Sequence, residues 1–175
     1  MNENIKGLDN VAIGVGLGLT DHANWHPHWK IEKYHGDVLN ENLYAVEEID
    51  GNLLLNEGIT ALLTLLIGGA ATAFNNTNAR IGVGDSTTTA DATQSDLQAA
   101  VNKTYKGMDA TYPQVSGQTV IFRATFGADD GNYSWQEFVV NNGAIAGNTL
   151  NRKVEPHGVK ADGDSWVIQL QVTIS

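Results

Sequence analysis

Trp166-Val-Ile-Gln-Leu-Gln-Val-Thr-Ile174 places Trp166, Ile168, Leu170, Val172 and Ile174 at every second position, with Gln169, Gln171 and Thr173 between them. Side chains along a strand alternate between two faces, so this spacing predicts a β-strand with one buried face and one wet face. Thr119–Phe126 carries the same signal, with Val120, Phe122, Ala124 and Phe126 on one side and Arg123 and Thr125 on the other. Tyr133 to Val140 predicts a further strand, set off by the turn-rich Gly127-Ala-Asp-Asp-Gly-Asn132. Strands with one face wet pair most economically in antiparallel sheets. Nearer the start, His28 to Tyr34 and Leu43 to Ile49 alternate as well, and Asp50-Gly51 predicts a hairpin or a sharp strand-to-helix corner.

Two helices follow from capping chemistry. Asn56 is placed to accept from an orphan amide of a first turn, and Glu57 suits its positive end. Apolar residues recur at Ile59, Leu62, Leu63, Leu66 and Ile67, and Gly68 supplies a left-handed stop. Ser95-Asp-Leu-Gln98 has capping-box spacing and predicts a second helix running to about Tyr105, ended by Gly107. The fold class is therefore β-rich α+β. It is an antiparallel β-sandwich, for which a jelly-roll arrangement is one form, with two short helices. Residues 1–50 form an N-terminal arm or hairpin region packing on the domain or on a neighbour, and residues 51–175 form the sandwich with its two helices, together one structural unit.

Composition narrows the function. The chain has 175 residues, with 10 Lys+Arg against 20 Asp+Glu and a formal charge of −10. That length fits one compact domain able to bury about 70% of its unfolded surface. With no Cys, disulfides and zinc–cysteine sites are excluded. A twofold excess of acids with no basic run is the reverse of a counterion-release footprint, so direct nucleic-acid binding is not expected. Met1 to Asp9 starts polar and acidic, unlike a signal peptide. Val11 to Leu19 is broken by Gly14, Gly16 and Gly18, and Ile59 to Ile67 falls short of the roughly 20 residues of a spanning helix. The expectation is a protein synthesised in a cytoplasm with no membrane partner.

Each cluster that could carry chemistry has a simpler structural reading. Gly14-Val-Gly-Leu-Gly18 and Gly82-Val-Gly-Asp85 look like phosphate-cradling loops, but neither continues into Gly-Lys-Ser/Thr. Glycine there reads as close backbone packing or as turns, where a Cβ would clash. His22, His26 and His28, with His35 nearby, could hold a transition metal. Pro27 favours an extended chain, expected to aim the rings of His26 and His28 to opposite sides. Trp25, Trp29 and Tyr34 flank this group and read as a protein-contact surface. Asp129, Asp130 and Asn132, and separately Asp162 and Asp164, could give oxygens to calcium, but both are common turn sequences. Glu137, in an otherwise apolar strand, calls for a partner such as Arg123 or Arg152. No Gly-x-Ser-x-Gly occurs, and His157 follows Pro156 in a turn. No catalytic residue, metal site or cofactor is assigned.

From residue 53 onward the order of motifs resembles a group of bacteriophage virion proteins that includes tail-fibre and baseplate attachment modules and small capsid-associated decoration proteins. The carriers are Leu54-Leu-Asn-Glu-Gly-Ile59, then Ala79-Arg-Ile-Gly-Val-Gly-Asp85 before a Thr/Ala-rich stretch, and Thr93-Gln-Ser-Asp-Leu97. Val120-Ile-Phe-Arg-Ala-Thr-Phe126, Asn132-Tyr-Ser-Trp-Gln-Glu-Phe138, Leu150-Asn-Arg-Lys-Val154 and the terminal alternating strand continue it. The likeness implies a non-enzymatic structural subunit located in the virion, an accessory adaptor or surface subunit of tail or baseplate. Capsid decoration is the alternative, and a carbohydrate or host-surface binding module a further one. Implied partners are other virion structural proteins (tail, baseplate or major capsid protein) and further copies of the chain, with a trimer among the homo-oligomers. The chain ends on the domain's own last strand, so a receptor-reaching fibre is not expected.

Overall fold

The computed structural model of the chain describes residues 24–143 and 147–175. The Gly14–Gly18 stretch and His22 lie outside the described residues. Two five-stranded sheets face each other. The first is built from β1 (Trp25–His35), β2 (Leu43–Asp50), β6 (Gln114–Ser116), β7 (Thr119–Phe126) and β10 (Asp164–Ile174), in the order β2-β1-β10-β7-β6. The second holds β3 (Leu53–Leu54), β4 (Arg80–Gly84), β5 (Lys103–Gly107), β8 (Glu137–Asn141) and β9 (Thr149–Val154), in the order β3-β9-β8-β4-β5. All the strand pairs described are antiparallel. The architecture is a β-rich α+β sandwich with one short helix, α1 (Asn56–Leu66).

Register explains the core. Pairing of β10 with β7 sets Trp166 opposite Phe126, Ile168 opposite Ala124 and Leu170 opposite Phe122. Pairing with β1 adds Ile31 beside Ile168 and Trp29 beside Leu170. Directly opposed residues share a face, so these side chains form one apolar surface. It packs on Ile81, Val83, Phe138, Val140 and Leu150 of the second sheet. Trp135 fills the space between, its ring 4.7 Å from Trp166 and 4.9 Å from Phe126, while its indole N–H donates to the Gly131 carbonyl at 2.8 Å. Each such large side chain, fully buried, contributes about 1.5–3 kcal/mol. Residues 25–50 form the antiparallel pair β1–β2, and β1 lies inside the first sheet between β2 and β10.

The first helix forms as the pattern predicts, with Gly68 at φ +71° after its end. Leu55, not Asn56, occupies the cap position, and no side chain caps it. The Asn56 amide is instead taken by the Ala92 carbonyl at 2.9 Å. At the corner before the helix, Gly51 at φ +80° turns the chain out of β2.

The second predicted helix is absent. Ser95 to Asn102 runs without regular structure and Lys103–Gly107 joins the sheet as β5. Tertiary bonds outcompete the local capping signal. The amides of Gln98 and Ala99 donate to the Glu137 carboxylate at 2.9 and 2.7 Å, and Thr149 Oγ1 donates to the Ser95 carbonyl at 2.6 Å. The predicted strand from Tyr133 is also shorter: β8 starts at Glu137, because Trp135 turns its backbone to Gly158 and His157.

Candidate functional site

Of the three residues read as a contact surface, two belong to the interior. Trp29 is 1% exposed, with its ring 5.9 Å from Phe138 across the sandwich, and Tyr34 is 6% exposed. Alternation is the reason: Trp29 shares its strand face with Ile31, and that face is the core. Tyr34 lies at a register shift of β1 and donates its hydroxyl to Glu32 at 3.2 Å. Burial, helped by the Glu32 charge, pushes this phenol above its ordinary range. Only Trp25 stays at the surface, half-buried, with its indole N–H held by Asn52 Oδ1 at 2.9 Å.

His26 and His28 lie on the same side of β1, contrary to the expectation from Pro27, because residues two apart in a strand share a face. His28 pairs with Asp50 at 2.8 Å. His35 pairs with Asp164 at 3.1 Å and stacks on Tyr44 with ring centroids 4.1 Å apart. Among the described residues, no three His, Asp or Glu side chains converge as a metal ion requires. Together with Trp25, Pro27, Gly51, Gln171 and Thr173, the His28–Asp50 corner lines an open depression of about 490 Å³.

The two Asp-rich turns, distant in sequence, meet around a buried ammonium. Lys160 is fully buried and donates to Asn132 Oδ1 at 2.7 Å and to the Ala128 carbonyl at 3.3 Å, while Asn132 Nδ2 donates to Asp162 at 3.2 Å. Burial pulls Lys160 below its ordinary value, against the opposing charges of Asp130, Asp164, Asp162 and Asp129. A side chain of the protein thus supplies the positive charge at these turns.

Two further charged groups are assembled by the fold, the first from residues that the sequence does not link. The first is Lys33–Glu47–His157. Lys33 Nζ lies 2.5 Å from Glu47 Oε1, donates to the His157 carbonyl at 2.7 Å, and sits 4.2 Å over the Trp166 ring. His157 Nδ1 contacts Glu47 Oε2 at 2.6 Å. Burial alone pushes the Glu47 carboxyl up, but hydrogen bonds from Lys33 and His157 outweigh it and hold the group below its ordinary value of 4.5. The signal was available: Lys33 continues the inward series Trp29, Ile31. Its partner loop at 155–158, however, is 124 residues away from Lys33.

The second group is Glu137–Arg152, both fully buried on the outer face of the second sheet. Arg152 Nε and Nη2 donate to Glu137 Oε2 at 2.8 and 2.7 Å, and Nη1 donates to Gln94 Oε1 at 2.9 Å. Of the two partners read from sequence, the structure selects Arg152. Beside it, Gly82 and Gly84 leave room that a Cβ would fill: one at Gly82 would lie 2.6 Å from the Tyr105 ring, and one at Gly84 2.5 Å from the Glu137 carboxylate. Of the two readings of the Gly82–Gly84 stretch, close packing or turns, the structure selects close packing within β4, and burial with the Asp96 hydrogen bond pushes the Tyr105 phenol far up.

The apolar residues that remain outside are concentrated. On α1 and just past its end, Ile59, Leu63, Leu66 and Ile67 are exposed; on the rim of the first sheet, Val38, Leu39, Leu43, Tyr44 and Val46; at its far end, Val115 and Ile174; Val101 and Val159 are exposed singly. No described helix is long and apolar enough to cross a membrane. In comparisons with known proteins, no family model, no curated protein and no solved structure matches the chain.

Proposed function

We propose that this chain is a non-enzymatic structural subunit of a bacteriophage particle, acting as an accessory adaptor or surface subunit at the tail or baseplate. The observation that carries the reading is the pairing of a rigid, charge-locked sandwich with separate apolar surfaces left outside, chief among them the outer side of α1. Exposed patches of this kind mark contacts with other proteins. The net charge of −10 keeps such a subunit dispersed until a neighbour covers those surfaces. The phage-like order of motifs from Leu54 to Val154 supports the same reading. Purified particles probed with an antibody to the chain test it. Label at the tail tip is the expected result, label over the head shell would replace tail by capsid decoration, and absence from particles would end both.

The Trp25 depression favours a second reading, a module that binds host-surface carbohydrate. The half-buried indole, held at its N–H by Asn52, lines the depression where a sugar ring would sit, and His28, Asp50, Gln171 and Thr173 offer hydrogen bonds around it. Under this reading Trp25→Ala particles assemble normally and adsorb poorly. Unchanged adsorption would remove it.

A further inference from the structure

Backbone hydrogen bonds hold the connection between β7 and β8 against the connection between β9 and β10. The Trp135 amide donates to the Gly158 carbonyl at 2.9 Å, the His157 amide to the Trp135 carbonyl at 2.9 Å, and the Lys160 amide to the Tyr133 carbonyl at 3.1 Å. This ladder ends on two side chains that can react with each other. Lys160 is fully buried, and its Nζ lies 2.7 Å from Asn132 Oδ1. The Asn132 carboxamide is fixed at its other end as well, where Nδ2 donates to the Ala128 carbonyl at 2.8 Å and to Asp162 Oδ1 at 3.2 Å. Neighbouring acids have other partners: Asp130 is paired with Lys106 at 2.8 Å, and Asp164 with His35 and Tyr44, each at 3.1 Å. Asp162 is thus the carboxylate that meets the amide.

We propose that Lys160 and Asn132 join in an intramolecular isopeptide bond, formed by the chain itself with Asp162 as proton carrier. An amine becomes a nucleophile only when it loses its charge, and burial favours that loss. Burial pulls Lys160 below its ordinary value even with the carboxylates of Asp130, Asp164, Asp162 and Asp129 nearby. Position supplies the rest. The contact with Oδ1 brings Nζ beside Cγ, the carbon bonded to that oxygen, and groups held about 3–3.5 Å apart react far faster than the same groups free in solution. In the reaction Nζ bonds to Cγ and the Cγ–Nδ2 bond breaks. Of the protons on the Lys160 ammonium, one stays on the new amide and the others pass by way of Asp162 to the departing nitrogen, which leaves as ammonium. Atoms and charge balance without an oxidant or a co-reactant. Asn132 and Asp162 are exposed, so the ammonium departs into solvent. The product ties together two connections whose linked residues are 28 positions apart, and it replaces a buried charge by a neutral amide.

Mass spectrometry of the purified full-length chain, unfolded before measurement, tests the bond. The unaltered chain is expected about 17 Da below its sequence mass, the mass of the ammonia lost. A tryptic digest should then yield a branched peptide joining Lys160 to Asn132. The branch distinguishes this bond from cyclisation of Asn142 at Gly143, which removes the same mass within one linear peptide. Lys160→Arg keeps a positive charge in the site and should show its full mass and a lower melting temperature. Asp162→Ala, at an exposed position, should lower the linked fraction about tenfold or more. Full mass in the unaltered chain after prolonged incubation overturns the proposal, as does a deficit carried by a linear peptide or one that persists in Lys160→Arg. Linkage undiminished in Asp162→Ala overturns the proton transfer assigned to that residue. If Lys160→Arg does not fold, the presence or absence of the branched peptide in the unaltered chain still decides.

Discussion

The two sheets bury their strands in different ways. In the first sheet one face meets the core and the other meets water along the second half of β10, where Gln169, Gln171 and Thr173 are partly exposed, while Ser165 and Val167 nearer its start are buried. In the second sheet the outer face is covered as well, by α1 and by the segment after β4, and all five residues of β8 are buried. The first sheet needs only alternation. The second must place something on its outer face that packs under a covering loop, and it uses glycine at Gly82 and Gly84 and an ion pair at Glu137–Arg152. The contrast teaches that a buried charge can act as a fastener for irregular backbone. The Glu137 carboxylate satisfies two loop amides that no helix or strand would satisfy, and Arg152 balances its charge.

The contrast can be broken most severely at that fastener. Arg152→Met leaves Glu137 buried without its cation and should cost about 3–5 kcal/mol in urea unfolding, with faster proteolysis within 94–99. A cost under about 1 kcal/mol would show that the cover is held by other means. A matching loss is expected in the first sheet from Trp29→Ala, about 3–5 kcal/mol, whereas Trp25→Ala in the same strand should stay under about 1 kcal/mol. Equal losses at the two tryptophans would contradict the core assignment. Next in size is Gly58→Ala. Alanine is the better helix former by about 1 kcal/mol, yet the Cβ would press on the Leu150 backbone, and a net loss of about 1–3 kcal/mol is expected in thermal unfolding. The smallest effect concerns the rim of the first sheet. Glu47 is held below its ordinary value in the folded chain, so its contribution is complete above about pH 4.5 and is lost as pH falls through the folded value. Because the carboxylate is partly exposed, the step is worth less than about 1 kcal/mol. Melting temperatures from pH 6 to pH 3 should show it in the unaltered chain and not in Glu47→Gln.

What could be read from sequence follows the same division. Strands β1, β2, β7 and β10 announce themselves by alternation, and β7 begins and ends where the pattern does, at Thr119 and Phe126. In the second sheet the pattern says less: Tyr133 to Val140 announces only the shorter β8, Arg80–Gly84 looks like a glycine loop and becomes a central strand, and Ser95–Gln98 has a helix signal that tertiary bonds override. The contact residues were misread for a related reason. Aromatic character marks Trp25, Trp29 and Tyr34 alike; Trp25 and Trp29 share one strand face, and it is position along the strand that separates them, Trp29 lying beside Ile31 against the core while Trp25 opens the strand and is only partly covered.

By itself, the sequence determined the class of fold, four of the five strands of the first sheet, and the helix stopped by Gly68, because each depends on neighbours within a few residues. It also set the twofold excess of acids over bases. Only the tertiary structure decided that Arg152 answers Glu137, that Lys160 fills the Asp-rich turns, that Lys33, Glu47 and His157 meet, and that the outer stripe of α1 is left uncovered. Those outcomes join residues tens of positions apart. Their energies arise from desolvation and from the geometry of facing sheets, which no local spacing records.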